Sequence, residues 1–306
     1  MLPQLPASRA TAAPCESVTD WWLRYHAIAR EHPDPIHQAI VGGFVADRVG
    51  WAFASGYQAA LRALFPDAPA DRICALCVTE ADGNSPKAIK SSLRKNGDGW
   101  VLNGAKHWTT LGPDGALFFV AARDEAASVE RASIRIARID SKAPGLKIET
   151  MPPTKFVPEI PHARLQFDNL NVEESALLPG DGYAGYVKPF RTVEDIHVQA
   201  AVLSYLMREG QRLEWPGHWL ERLSALLAAL GKIADMPSSH AETHIALAGA
   251  LAIGAGLIGE TDEFWRKTAT DQAALRWARD RELLKVAGSA REQRTKRAWE
   301  TLRQAG

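Results

Sequence analysis

The sequence has no excess of charge of either sign, few cysteines and no long apolar run. Its 36 Lys and Arg residues balance 36 Asp and Glu residues, so no global basic field exists to hold a nucleic acid or an anionic membrane. Three cysteines in 306 residues are too few for a disulfide framework and favour a reducing compartment. The longest apolar run, 245–259, is shorter than the roughly 18 residues that a membrane span needs. The first residues also lack the apolar core of a signal peptide. We therefore expect a cytoplasmic protein with no membrane span and no nucleic-acid partner.

The residues that are present indicate a large globular protein. Hydrophobic residues make up 46% and charged residues 24% of the chain, close to the globular average. Residues 1–16, rich in Pro and Ala, predict a loose arm. Helical periodicity over 20–64 gives way to alternating patterns over 72–172, and helical periodicity returns from about 190. This order predicts an α+β protein of three parts: a helical N-terminal domain (1–70), a central antiparallel β-barrel or sandwich (71–188) and a C-terminal helical bundle (189–306).

Local signals refine this outline. Apolar residues at steps of three and four over 40–64 predict one long helix, in which Gly42, Gly43 and Gly56 would mark close contacts with other helices. The stretch NGDG at 96–99 predicts a tight hairpin turn between two strands. Prolines near 216 and 237 divide the C-terminal region into four or five helices.

Two capping boxes would start helices of the C-terminal region. Thr192 is followed three residues later by Asp195, and Ser239 by Glu242, which is the spacing of a capped helix start.

Three short motifs favour structural interpretations. Cys74 and Cys77 have C-x-x-C spacing, but they lie in a strand-like stretch and no second cysteine pair exists. The stretch GAGLIG at 254–259 matches G-x-G-x-x-G within a helical run, whereas a dinucleotide site needs a strand before it. His240 and His244 are one helical turn apart without a third metal ligand at a marked spacing. We expect none of the three to bind a cofactor or metal.

The basic stretch 276–303 leaves two interpretations open. It holds nine basic and four acidic residues, a net charge of +5, with apolar residues interspersed as in an amphipathic helix. It can be a solvated helix face, or an anion site for a ligand that carries phosphate, because arginine suits phosphate geometry.

Two segments, 77–85 and 99–110, combine strand edges with small hydroxyl side chains and one large aromatic. Trp108 can pack on a planar ring, and Thr79 and Thr110 can form hydrogen bonds with the polar rim of that ring. Ser85, in a turn that contains Gly and Asn, can reach a phosphate oxygen. These four residues are the candidate cofactor-binding residues.

Four segments together resemble the acyl-CoA dehydrogenase family: VTEADGNS (78–85), GWVLNGAKHWTT (99–110), RLQFDNLNV (164–172) and LLPGDGY (177–183). The resemblance implies an FAD enzyme that dehydrogenates an acyl-CoA thioester and passes electrons to an acceptor such as electron-transfer flavoprotein. It also implies a homodimer or homotetramer. In this family Thr79 and Thr110 would hydrogen-bond to the flavin, Trp108 would cover the isoalloxazine and Ser85 would contact the pyrophosphate.

The base that removes the α proton of the thioester has to be a carboxylate near that carbon. The late Glu that often serves in this family has no counterpart in 286–292. Some members carry the base near the start of the first helix of the bundle, and Glu194 occupies the matching place here. We predict Glu194 as the base; the alternative is a charge that complements a helix N-terminus in its first turn.

Departures from the family pattern keep other functions open. The segment 79–86 differs from the usual one at three positions, the N-terminal helical region is short, and the R-x-x-F-G and Q-x-x-G-G-x-G segments are missing. The chain could therefore be a degenerate relative that serves as a non-catalytic binding or assembly module. A flavin monooxygenase of the same fold is a further alternative.

Overall fold

A computed structural model of the chain describes residues 5, 11–127, 133–286 and 288–305. It divides into two compact units. The helical unit contains the described residues up to Ala63, together with Thr154–Glu159 and the residues from Thr192 onward. The sheet unit contains Leu64–Pro153 and Ile160–Arg191. Helical N- and C-terminal parts and a central sheet confirm the predicted fold class, whereas the three domain boundaries stay a prediction.

Eight helices are described. The N-terminal three are α1 (Val18–Glu31), α2 (Pro35–Val45) and α3 (Val49–Leu64). The C-terminal five are α4 (Lys188–Arg212), α5 (Gly217–Ala234), α6 (Ala241–Arg266), α7 (Gln272–Asp280) and α8 (Gly288–Ala305).

The predicted long helix over 40–64 is wrong, because the chain turns between α2 and α3. Ala46 is extended, with φ −67° and ψ 136°. The buried Asp47 carboxylate that follows it accepts hydrogen bonds from Arg48 and from the Cys15 backbone. Hydrophobic spacing continues across the break because both helices bury apolar residues.

The predicted close contacts of the glycines are confirmed. A β-carbon on Gly43 would lie 2.0 Å from the Ala201 carbonyl oxygen of α4, and one on Gly56 would lie 2.7 Å from the Val198 Cα of α4. A β-carbon on Gly42 would lie 2.6 Å from the Ser55 Cβ. Only glycine allows these helices to approach so closely.

The arm prediction needs correction for its described part. Residues 1–4 and 6–10 lie outside the described residues. Beyond them, Arg24 donates hydrogen bonds to the carbonyls of Ala13 and Pro14, and the Trp51 indole donates one to the Cys15 carbonyl at 2.9 Å. Residues 13–15 are therefore held against the helical unit.

Neither predicted capping box starts a helix. A π-helical turn, Tyr183–Val187, runs directly into α4, and the Asp181 carboxylate accepts a hydrogen bond from the Ala184 N–H at 2.6 Å. Thr192 is thus an internal residue of α4. Glu194 is internal as well, and the helix-end interpretation of its charge fails with the capping box. At α6 the N-cap is His240, not Ser239, and no side chain caps it.

The sheet unit is built on one seven-stranded sheet, β1 (Cys74–Cys77), β2 (Ser92–Asn96), β3 (Gly99–Thr110), β4 (Leu117–Asp124), β5 (Ile134–Asp140), β6 (Leu146–Thr150) and β7 (His162–Glu173). Its order is β1-β4-β2-β3-β7-β6, with β5 on β4. The β2–β3 hairpin has the predicted tight turn, where Gly97 has φ +58°. The antiparallel prediction needs correction, because β1 and β2 both pair with β4 in parallel.

One helix has the length and composition of a membrane span. α6 is 26 residues long, and 33% of its most apolar 18-residue window is buried. It packs against α5 and α8 within the helical unit. The absence of a membrane span therefore stays a prediction.

Candidate functional site

Trp108 lies on a β-bulge of β3. Lys106 pairs with Leu165 of β7 and Thr109 pairs with Ala163, so two residues of β3 oppose one residue of β7. Trp108 is left-handed, with φ 58°, a conformation that bulky residues rarely adopt. Its side chain is 51% exposed. The bulge thus presents a large aromatic side chain to solvent, and such devices re-aim side chains next to active sites.

Three of the predicted residues lie together around this bulge. The His107 N–H donates a hydrogen bond to the Thr79 carbonyl at 2.8 Å, which holds the end of the β1 segment against the bulge. Thr110 pairs with His162 of β7, and the His162 ring contacts the Trp108 indole. Thr79 and Thr110 are both half-buried.

The other two predicted residues lie elsewhere. Ser85 is exposed in the loop between β1 and β2, where its carbonyl accepts hydrogen bonds from the Ala88 and Ile89 N–H groups. Glu194 is half-buried on α4, in the helical unit. The structure therefore groups three of the five candidates, and the roles of all five remain predictions.

A buried ion pair lies behind the bulge, and the sequence motifs did not reveal it. The Lys106 side chain is fully buried, and its Nζ lies 2.5 Å from Glu80 Oε1. The Glu80 carboxylate also accepts the backbone N–H groups of Lys90 at 2.8 Å and Ser91 at 3.0 Å. This pair joins Glu80, which follows Thr79, to Lys106, which lies two residues before Trp108. Glu80 and Lys106 both lie in the segments that resemble the family, but only the structure shows that they are buried and paired.

The ion pair keeps the Glu80 carboxyl ionised. Burial alone would raise its pKa, but the Lys106 ammonium and the two backbone N–H donors hold that pKa below its usual value. Burial lowers the pKa of Lys106, and the Glu80 carboxylate opposes that effect. The pair therefore links the two segments through charges that face each other inside the sheet unit.

Glu80 also shapes the loop that carries Ser85. The Glu80 N–H donates to the Gly83 carbonyl at 2.8 Å, and the Gly83 N–H donates to the Glu80 carbonyl at 3.0 Å. Gly83 has φ +114°, which L side chains rarely adopt. Asp82 and Lys90 form an ion pair across the same loop.

The residues around the bulge fit a flavin in their chemistry. A half-exposed indole can stack on the flat ring system, and threonine hydroxyls both donate and accept the hydrogen bonds that a polar ring edge needs. Ser85 offers an exposed hydroxyl for a phosphate oxygen. Among the described residues no group of His, Cys, Asp and Glu could hold a metal ion.

The structure places each of the short motifs in or beside a strand or helix. Cys74 and Cys77 are buried, unpaired thiols of β1, and burial raises the pKa of Cys77 to about 12. Residues 254–259 lie within α6. The His244 ring contacts the Ser238 carbonyl at 2.9 Å.

The basic stretch is largely neutralised within the helical unit. Arg291 and Arg294 of α8 both lie 2.7 Å from the buried carboxylate of Asp195 on α4. Six of the nine basic residues form such ion pairs: Arg276, Arg279, Arg281, Lys285, Arg291 and Arg294. This pairing favours the structural interpretation over an anion site.

The match to a family model lies mainly in the sheet unit. Residues 75–170 match the sequence model of the acyl-CoA dehydrogenase middle domain. The chain is 28% identical over 139 residues to 3-sulfinopropanoyl-CoA desulfinase of Paraburkholderia xenovorans, covering 44% of this chain and 36% of that protein. It is 27% identical over 180 residues to benzylmalonyl-CoA dehydrogenase of Aromatoleum aromaticum, covering 54% and 45%. The matched region thus spans less than half the length of these relatives.

Solved structures extend the likeness to the whole fold. Butyryl-CoA dehydrogenase from Megasphaera elsdenii has a TM-score of 0.72 at 13% identity, covering 92% of this chain and 90% of that one. The FAD complex of PigA has a TM-score of 0.67 at 14% identity, covering 93% and 90%. The fold is that of acyl-CoA dehydrogenase-like flavoproteins. Residues 75–170 thus match an acyl-CoA dehydrogenase middle domain, within a chain that has the acyl-CoA dehydrogenase fold.

Proposed function

We propose that the chain is an FAD-dependent oxidoreductase that dehydrogenates an acyl-CoA thioester between its α and β carbons. The observation that carries the proposal is the half-exposed indole of Trp108, displayed on a bulge beside two half-buried threonines. The two curated relatives act on CoA thioesters by name, and PigA was solved with FAD.

The residues of the bulge would hold the flavin. Trp108 stacks on the isoalloxazine, the hydroxyls of Thr79 and Thr110 hydrogen-bond to its polar edge, and Ser85 contacts the pyrophosphate. When bound, FAD supplies the hydride acceptor. The Glu80–Lys106 pair keeps Thr79 and the bulge in register while a ligand enters and leaves, since neither charge is exposed to exchange partners.

Glu194 is the proposed base. Its carboxylate would take the α proton of the thioester, and that proton would then reside on the Glu194 carboxyl. Glu194 lies inside α4, away from the helix N-terminus that would stabilise the charged form of its carboxyl.

A flavin titration tests the assignment. Purified protein should absorb at about 450 nm, a property of the bound cofactor, or should take up added FAD. Trp108→Ala should weaken FAD binding about tenfold or more, since base–aromatic stacking contributes about 1–3 kcal/mol. Trp299→Ala is the matched control, because that indole is 46% exposed but lies on α8. A wild-type protein that binds no FAD would overturn the proposal.

Acyl-CoA turnover tests the base. Glu194→Gln should lower the rate of flavin bleaching by acyl-CoA by about 10²-fold or more, as is typical when a general base is removed. Glu221→Gln, at an exposed position on α5, should leave it unchanged. If the Glu194 variant keeps the full rate, the base is another residue.

The alternative functions give different results in the same assays. The late carboxylate and two family segments are missing, which favours a non-catalytic binding module. Such a module would bind FAD or acyl-CoA without bleaching of the flavin. A monooxygenase would instead consume molecular oxygen when it is reduced.

We further propose that the protein is a homodimer or homotetramer and that it transfers electrons to an acceptor such as electron-transfer flavoprotein. The outer side of α6 supports an assembly, because Ile253 is 58% exposed and Gly249, Ala252 and Gly256 are exposed beside it. Glu260 on its border already pairs with Arg222 of α5, so this side presents apolar surface rather than unpaired charge. A second copy of the chain suits such a surface. The cytoplasmic location stays a prediction.

A further inference from the structure

His162 is the first residue of β7 and makes the one aromatic contact of Trp108 among the described residues. The two ring centroids are 5.9 Å apart and the planes are inclined at 71°. This is an edge-to-face arrangement, which aromatic pairs prefer over a stacked sandwich. Nothing in the sequence motifs marks His162, because it stands outside the segments that resemble the family.

The His162 ring is itself held in place. Its backbone pairs with Thr110 of β3, and its carbonyl accepts a hydrogen bond from the Met151 N–H at 2.8 Å. The imidazole forms a hydrogen bond with the backbone of Ile160. The backbone of His162 is therefore fixed by two neighbouring strands, and the hydrogen bond to Ile160 restrains its ring.

Burial also favours the neutral form of the imidazole. Burial lowers the pKa of His162, and the hydrogen bond to Ile160 opposes the shift only in part. A neutral ring contacts the indole by its shape and quadrupole rather than by charge.

Trp108 needs such a support. Half of its side chain is exposed, so the protein covers only part of the indole. An exposed side chain loses conformational entropy when it orders on a ligand. A neighbour that already fixes the indole removes part of that cost.

We propose that His162 is a positioning residue, which holds the Trp108 indole in one orientation so that its exposed surface can receive a flat aromatic ligand. This inference rests on the proposed function in one respect, the identity of the ligand as the isoalloxazine of FAD. The positioning of the indole itself does not depend on that identity.

The first experiment needs no ligand. Fluorescence of Trp108 is isolated as the difference between each protein and its Trp108→Phe counterpart, and its quenching by acrylamide is measured. His162→Ala and His162→Gln should raise the quenching constant of this component about twofold, because the indole gains rotamers that expose it. His162→Phe should restore the wild-type constant, because it keeps an aromatic edge. His107→Ala, one residue from Trp108, is the matched control and should have no effect.

The second experiment measures FAD binding. His162→Ala should weaken it about 2- to 10-fold, the equivalent of one edge-to-face aromatic pair, and His162→Phe should recover most of that loss. His162→Gln keeps a hydrogen-bonding side chain for Ile160, so it tests the ring even if the alanine variant fails to fold.

The outcomes separate the two proposals. If removal of the ring leaves Trp108 quenching unchanged, or if His107→Ala changes it equally, His162 does not position the indole. If quenching responds to His162 but wild-type protein binds no FAD, the positioning stands and the proposed function fails. A third outcome is that wild-type protein binds FAD and the His162 variants change Trp108 quenching, but the affinity for FAD stays the same. The indole is then held for a purpose other than flavin binding, and the inference is overturned in that part.

Discussion

Removing one charge of the Glu80–Lys106 pair should destabilise the sheet unit strongly. Glu80→Gln removes the negative charge that pairs with the fully buried Lys106 ammonium and leaves it neutral acceptors such as the Val78 carbonyl at 3.4 Å. Breaking a buried pair in this way costs about 3–5 kcal/mol. Lys106→Met leaves the Glu80 carboxylate with two backbone N–H donors. We therefore expect it to cost less, about 2–3 kcal/mol, because charge-assisted hydrogen bonds compensate in part.

The double variant measures the coupling. Glu80→Gln combined with Lys106→Met should cost less than the sum of the two single variants by about 1.5 kcal/mol or more, as is common for residues in one ion-pair network. Lys95→Met is the matched control, because Lys95 pairs with Glu174 at 2.6 Å on the same sheet but both side chains are about half exposed. An exposed pair should contribute below about 1 kcal/mol.

The assay has to report on the sheet unit alone. The chain has two compact units, so a single unfolding curve need not be two-state. Hydrogen exchange of the β3 amides at several urea concentrations gives the free energy of the sheet unit directly. Strict additivity of the two single variants, with coupling below about 0.5 kcal/mol, would refute the reasoning.

The same pair predicts a pH dependence. The folded pKa of Glu80 lies below its ordinary value of 4.5, so the stability it contributes is present above that value. It should be lost as the pH falls from about 4.5 through the lowered folded pKa. In Lys106→Met the loss of unfolding free energy at acid pH should be smaller. Urea unfolding at several pH values between 5 and 3 measures this loss.

Three further results are expected. Gly43→Ala should destabilise the helical unit by about 2 kcal/mol in urea unfolding, because its β-carbon would lie 2.0 Å from a carbonyl oxygen; Gly231→Ala, with open space around it, should stabilise it slightly. Burial lowers the pKa of His197 to about 4, so stability should fall by about 3 kcal/mol between pH 6.5 and 4; His197→Leu should flatten that slope, and an unchanged slope would contradict the assignment. Ile253→Glu should reduce the size of the assembly in light scattering while the circular dichroism stays constant; binding of wild-type protein to lipid vesicles would instead indicate a membrane role for α6.

Much of the fold could be predicted because local patterns agree with it. The hairpin at 96–99 has the residues that a tight turn requires, and the alternation in β5 and β7 places apolar residues on the packed face. The glycines of α2 and α3 occur where helices meet. These features depend on neighbours in sequence or on a single buried face.

The errors arose where tertiary contacts overrule local signals. Periodicity runs through Asp47, so only its buried contacts show that the chain breaks between α2 and α3. The Thr192 box has capping residues, yet the π-helical turn before it already starts the helix. At the candidate site, aromatic and hydroxyl residue types could be found in the sequence. The ring of His162 and the Glu80–Lys106 pair could not, because their partners lie 54 and 26 positions away along the chain.

The shared edge of β4 has a consequence for the loop at 78–91. β1 ends opposite Val120 of β4, and β2 starts opposite Arg123 of β4. The two short strands therefore lie end to end along one edge of β4, with a gap opposite two β4 residues. The loop leaves and re-enters the sheet through this gap, with its ends separated by about three residue lengths, roughly 10 Å. Insertions at the tip of the loop would add little closure entropy and leave strand register untouched. The loop at 78–91 is therefore the natural place for length variation among homologues, and for grafting a new specificity onto this scaffold.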